Sequence, residues 1–146
     1  MSDIERLGRA MMERATASEE QAFGSFFLLR LLGMSVRYDT DTCTVSFEVV
    51  PSLFNPQGTL HGGVLATAMD ISMGHLLHQT GGAGATLEMK VQYFAPVTAG
   101  RVDCVARFLR QGRSISFLQS SALREDGTEV AHATATWKRP GSRTAS

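Results

Sequence analysis

The chain has 146 residues, 43 % hydrophobic and 19 % charged, which fits one globular domain and excludes a disordered or low-complexity chain. Lys plus Arg and Asp plus Glu both total 14, so the formal net charge is zero. No basic excess points to nucleic acid and no charge block to a membrane surface, while a neutral chain is poorly protected against self-association, so an oligomer is expected.

Near the N-terminus, Ser2 with Glu5 and Ser18 with Gln21 have capping-box spacing, which predicts one helix in the first 17 residues and a second over about 19–31, closed by Gly33. The apolar stretch 23–36 is interrupted by Arg30 and too short to span a bilayer. The polar start shows no secretory leader, so the expected location is the cytoplasm. After a turn at Asp39-Thr40-Asp41, the residues Cys43, Val45, Phe47 and Val49 alternate with polar ones, the period of a half-buried strand that Pro51 ends. Cys43 and Cys104 both lie in such alternating patterns and are read as buried, reduced thiols. A loop over 52–60 carries turn chemistry at Asn55-Pro56 and Gly58.

The segment from Gly62 to Gln79 predicts a helix that is apolar over a wide arc and rich in small residues, and Gly81-Gly82-Ala83-Gly84 stops it. The rest reads as strand: Leu87 to Tyr93, Val102 to Phe108, a third opening at Ile115 and Phe117 whose pattern blurs after Leu118 as at a bulge, and a last one with Ala131, Ala133, Ala135 and Trp137 on one face. Gln111-Gly112-Arg113 and Asp126-Gly127 are hairpin turns. The predicted class is α+β, one antiparallel sheet curled around one central helix. Residues 1–17 form an N-terminal extension, 18–139 the domain, and 140–146 a disordered tail.

Common catalytic and phosphate-binding motifs are absent: no G-x-S-x-G, no H-E-x-x-H, no paired C-x-x-C and no P-loop. No metal site is expected: His75 and His78 share a helix face but lack further ligands nearby, and His132 in its strand reads as a satisfied core or interface histidine. The remaining candidate is the run from Asn55 to Gly63 leading into a helix that carries Asp70. Glycines at a helix N-terminus leave backbone N–H groups free to hold an anion or oxyanion. Asp70 is an acid in mid-helix with no cation among its neighbours at three and four residues, so it is a working group, an exposed one, or one hydrogen-bonded to Thr67. Gly62 and Asp70 lie eight residues apart, roughly 12 Å along a helix, a marginal reach for two groups that must converge on one carbonyl. Two copies of the chain, one supplying Gly62 and the other Asp70, solve this more easily.

The pattern Asn55-x-x-Gly58-x-Leu60-His61-Gly62-Gly63 followed by Asp70 resembles the hotdog-fold acyl-CoA thioesterases of the PaaI (phenylacetic acid degradation) type. The likeness runs from about Phe23 to Trp137 and includes Tyr93-Phe94-Ala95-Pro96 and both hairpins. It implies a curved antiparallel sheet wrapped around a long helix, and a homodimer with shared sites, usually paired into a homotetramer. It implies hydrolysis of an acyl- or aryl-CoA thioester with Asp70 as general base or nucleophile, the Gly62 N–H as oxyanion donor, Asn55 and His61 orienting thioester and loop, and Thr86 positioning water. Coenzyme A would be part of the substrate, and no cofactor is called for. Gly63, Phe54, Met69, Met73 and Arg113 are further substrate-binding candidates, the two methionines and Phe54 equally as core. A non-catalytic acyl-CoA sensor and a hotdog hydratase or dehydratase stand as alternatives.

Overall fold

The computed structural model describes residues 1–140; the tail expected to be disordered lies, from 141 on, outside the described residues. In chain order the elements are α1 (Asp3–Thr16), α2 (Phe27–Leu31), β1 (Ser35–Tyr38), β2 (Cys43–Glu48), a 3-10 turn (Pro51–Leu53), α3 (Gly62–Gln79), β3 (Ala85–Tyr93), β4 (Arg101–Arg110), β5 (Ile115–Arg124) and β6 (Glu129–Lys138). The six strands form one antiparallel sheet in the order β1-β2-β4-β5-β6-β3, which puts β1 and β3 on the edges. Helix α3 packs across one face of it, against β2, β4 and β5 above all. This is the wrapped helix that the hotdog resemblance implies.

Helix α3 begins and ends where the periodicity places it. Its buried residues run almost all the way round, from Leu65 through Met69, Met73 and Leu77, because a helix enclosed by a sheet has little solvent face to mark. Small residues make the enclosure close: a Cβ added at Gly74 would sit 2.7 Å from the Trp137 ring on β6. The sheet side of the core is Cys43, Val45 and Phe47 on β2, Val102, Cys104 and Ala106 on β4, and Ala131, Ala133, Ala135 and Trp137 on β6. Both cysteines are free and buried; burial, with Asp39 adding to it, pushes the Cys43 thiol up to about 12.

Two expectations need correction, and one strand was not foreseen. The helix predicted over 19–31 shrinks to α2, because Gly24 adopts φ +85° and Phe26 is extended. Ser18 Oγ accepts from the Glu20 N–H rather than from a helix N3 position, and Gln21 Oε1 instead accepts the Phe27 N–H at the start of α2. Strand β1 has no signal in the sequence: only Val36 of its four residues is half-buried. On β5 the buried face is Ser116, Leu118, Ser120 and Ala122, not Ile115 and Phe117. The pattern blurs because two of those core positions are serines, and the bulge falls later, between Ala122 and Leu123. Ser120 is satisfied by Ser72 of α3 at 2.9 Å, which in turn donates to the Met69 carbonyl.

The Gly74–Trp137 contact gives a test of how tightly helix and sheet are fitted. Gly74→Ala is a better helix former, yet it should lower stability by about 1–3 kcal/mol through overpacking. Equilibrium urea unfolding would show the loss; an unchanged or higher midpoint would mean that the indole yields freely.

Candidate active site

Two of the cavities beside α3 hold the candidate residues. The first, about 400 Å³, is walled by Phe23, Phe26, Gly74, His75 and Trp137 and carries Asp70. The second, about 330 Å³, is lined by Asn55, Thr59, Gly62 and Leu65 and by Tyr93 and Phe94 at the end of β3. No residue lines both. The separation follows from the sequence: Asp70 sits two turns along the helix from its glycine tip.

Asp70 is half-buried, and its carboxylate accepts a 2.7 Å hydrogen bond from Thr86 Oγ1 on the edge strand β3. Thr67, the alternative partner, donates instead to the Gly63 carbonyl one turn back. Burial holds the Asp70 carboxyl above the ordinary carboxylate range, and the Thr86 hydroxyl, which favours the charged form, opposes it only in part. Such a group keeps basicity that an exposed aspartate lacks, as suits a general base. A register shift in the pairing of β3 with β6 falls beside this contact, between Thr86 and Glu88.

At the other end of the site, His61 is the N-cap of α3, and its Nδ1 accepts the Gly63 N–H at 2.9 Å. The Val64 and Leu65 N–H groups both reach the His61 carbonyl. The Gly62 N–H has no acceptor among the described residues, so one donor at the positive end of the helix is left free, and it is that of Gly62 rather than Gly63. Tyr93, on which the sequence placed no role, fixes this tip: its hydroxyl donates to the Gly62 carbonyl at 2.6 Å, and its ring leaves a Cβ on Gly62 only 3.2 Å of room. Asn55 organises the loop before it, with Oδ1 accepting from the Gln57 and Thr59 N–H groups and Nδ2 donating to Thr59 Oγ1.

The other candidates fall elsewhere. Met69 and Met73 are fully buried in the core and line neither cavity. Phe54 is half-buried against the core beside Leu60, and Arg113 is exposed on the β4–β5 hairpin. The cavity beside Asp70 is walled instead by Phe23, Phe26, His75 and Trp137. The only hint of this in the sequence was the shared face of His75 and His78. His75 is buried, with Nδ1 against the Ile71 carbonyl and Nε2 accepting the Gly24 N–H; burial lowers its pKa, which keeps it neutral. His132 is satisfied by Glu129 at 2.8 Å. Among the described residues no cluster of His, Cys, Asp and Glu could hold a metal ion, and no helix is long and apolar enough to cross a membrane.

Known proteins agree with this architecture. The sequence model of the Thioesterase superfamily matches residues 57–131. The medium/long-chain acyl-CoA thioesterase YigI of Escherichia coli strain K12 is 27% identical, over 74% of this chain and 82% of the relative. Among solved structures, conserved protein PA5202 of Pseudomonas aeruginosa superposes with a TM-score of 0.75 at 28% identity, covering 80% of this chain and 96% of that one. A point mutant of the phenylacetic acid degradation protein PaaI of Thermus thermophilus gives a TM-score of 0.72 at 27% identity, over 77% and 98% of the two chains. The chain belongs to the thioesterase superfamily.

The raised pKa of Asp70 has a consequence for stability. A carboxyl that binds its proton more tightly in the folded state stabilises the fold below the ordinary carboxylate range, and this contribution is lost as pH rises through that range to the raised value. At neutral pH the ionised Asp70 is therefore a net cost. Asp70→Asn should raise the Tm at pH 7 by a few degrees, and the gain should vanish in acid. A variant melting below the wild type at pH 7 would show that the charge is better solvated than its burial implies.

Proposed function

We propose that this chain hydrolyses acyl-coenzyme A thioesters, alkyl or aryl, to the free acid and coenzyme A. The observation that carries this reading is the half-buried Asp70 carboxyl, bonded to Thr86 in the wall of an apolar cavity, in a chain of the thioesterase superfamily. A module that only bound acyl-CoA would need no such base. The name of the YigI relative, an acyl-CoA thioesterase for medium and long chains, supports the same substrate class.

In this mechanism the thioester carbonyl oxygen accepts the free Gly62 N–H, where the helix dipole favours the negative charge that develops on it. Asp70 acts as general base on water, or attacks the carbonyl itself. Because the Thr86 hydroxyl donates to Asp70, its oxygen lone pairs are left to accept a proton of that water and to aim it. The tetrahedral intermediate collapses by expelling the coenzyme A thiolate, which takes up the proton that Asp70 removed from water; where Asp70 attacks directly, water then hydrolyses the acyl–Asp70 anhydride to the free acid. His61 and Asn55 act on the loop: the first caps the helix and the second holds the approach to its tip.

Since Asp70 and Gly62 line different cavities of one chain, we assign each site to two protomers of a homodimer. The free edge of β3 supports this. It is exposed at nearly every position, including Leu87 and Tyr93, and an open edge strand of nine residues is a ready template for pairing. A second pairing of dimers would give the homotetramer.

Free-thiol release from a panel of alkyl- and aryl-CoA esters tests these roles. Asp70→Asn should lose about 10²–10⁴ in kcat with little change in binding; near-full activity would overturn the assignment. Gly62→Pro removes the free N–H at a helix position that accepts proline, after a His61 whose ψ of 129° suits it. It should lose about 10²–10³ in kcat, whereas Gly62→Ala should lose far less. Mixing the two inactive variants should restore about a quarter of the sites if they are shared across a two-fold axis; a mixture that stays inactive would place each site within one chain.

A further inference from the structure

The N-terminal segment precedes the match to the superfamily, which begins at residue 57. It is firmly held. The Arg30 guanidinium on α2 donates to the carbonyls of Ala15, Ser18 and Glu20 and to Ser25 Oγ. Arg14 of α1 donates in return to the carbonyls of Arg30 and Leu31 at the end of α2. Between these two clamps the chain makes a tight turn, with Ala22 and Ser25 exchanging backbone hydrogen bonds.

That turn lies over α3. The Phe23 ring stacks on His78 at 3.7 Å and meets His75 edge-on at 4.9 Å, with Phe26 6.0 Å from His75 on its other side. The Gly24 N–H donates to His75 Nε2 at 2.9 Å, and the other ring nitrogen faces the Ile71 carbonyl, so His75 is latched on both sides. Asp70, Gly74 and His78 succeed one another at four-residue spacing on one face of the helix. Phe23 therefore stands up to two turns, roughly 12 Å, beyond the carboxylate, and the position between them is a glycine. The cavity runs through this gap, and among the described residues Asp70 is the only charged side chain that lines it.

We propose that the Gln21–Phe26 turn is the specificity-determining roof of the acyl cavity, with Phe23 as the stop for the acyl tail and His75 as the positioning residue that latches the turn. The proposal rests on the reading of the site as an acyl-CoA hydrolase. It adds the class of acyl group: an uncharged, apolar tail of limited length, alkyl or aryl, entering over Gly74. An acyl group ending in a carboxylate finds no cation among the described residues of the lining to receive it, and meets the Asp70 carboxylate instead.

The test uses two readouts on the full chain. One is kcat/KM across acyl-CoA esters of graded chain length, with an ω-carboxyacyl ester included. The other is the affinity of non-hydrolysable S-alkyl coenzyme A thioethers of the same lengths, followed by the fluorescence of Trp137, the only tryptophan and itself in the cavity wall. Phe23 is 46% exposed, so Phe23→Ala opens the stop without emptying the core. It should move the preference toward longer tails by about tenfold in the ratio of long to short, and Phe23→Trp should move it the other way. His75→Leu should broaden the profile as Phe23→Ala does, and His75→Gln, which keeps an acceptor for Gly24, should restore it. The ω-carboxyacyl ester should be the poorest substrate of its length throughout. Parallel wild-type and Phe23→Ala profiles in both readouts would overturn the roof and leave the hydrolase reading standing. Length-dependent binding that shifts with Phe23 in a chain that releases no thiol would support the roof and overturn the hydrolase reading.

Discussion

A carboxylate is held part-way out of water by one threonine hydroxyl, and most of the structure serves to keep it there. Asp70 lies in the middle of a largely buried helix, so its ionised form loses hydration that a single hydrogen bond from Thr86 only partly replaces. Charge in such a place is a standing cost that selection for stability alone would remove. Several close-packed or irregular features lie around it. The glycine at 74 lets the helix lie against Trp137, the serines at 72 and 120 close a polar contact inside the core, and the irregularity in β3 falls beside the residue that bonds the acid.

The tip of the same helix is built on the opposite principle: here a polar group is left unpaired on purpose. Four N–H groups start any helix without partners. In α3 the histidine cap takes that of Gly63, and the His61 carbonyl takes the next two. The glycine doublet thus presents one donor, on a tip that Tyr93 braces from β3. Edge strand β3 consequently touches both ends of the chemistry, through Thr86 at its start and Tyr93 at its end. In the dimer we infer, pairing along this strand would carry the donor of one chain toward the acid of the other.

The fold was legible in the sequence where burial is one-sided or complete. Helix α3 was read to the residue, since its apolar periodicity and its flanking glycines agree. Failures came where the physics is non-local. Strand β1 is short, exposed and tied only to β2, so alternation had nothing to record. The core face of β5 contains serines whose partner lies 48 residues away, and no local pattern reveals such a pair. The site divides in the same way. Asp70 and Gly62 stood out from the residues themselves, as a mid-helix acid and a glycine at a helix tip, whereas Thr86 came only with the family resemblance. Met69 and Met73 share the helix with the acid but point to its covered side, and periodicity alone does not say which side of an all-round apolar helix faces a cavity. The walls of the cavity beside Asp70, Phe23 and Phe26, come from a segment whose capping spacing read as helix.

That misreading shows what the N-terminal segment does physically. An apolar pair at helical spacing would ordinarily be spent on the core, but Gly24 in the left-handed region breaks the helix and turns both rings onto α3. A bent loop exposes carbonyls, and here two arginines bind them, each closing the end of the element that carries the other. The order of the turn over Asp70 thus depends on α1 having folded and docked, although α1 itself reaches neither cavity. Loops of this kind acquire precision only from their supports. The extension is best understood as such a support: it transmits no chemistry, but it fixes how far from the acid the cavity ends.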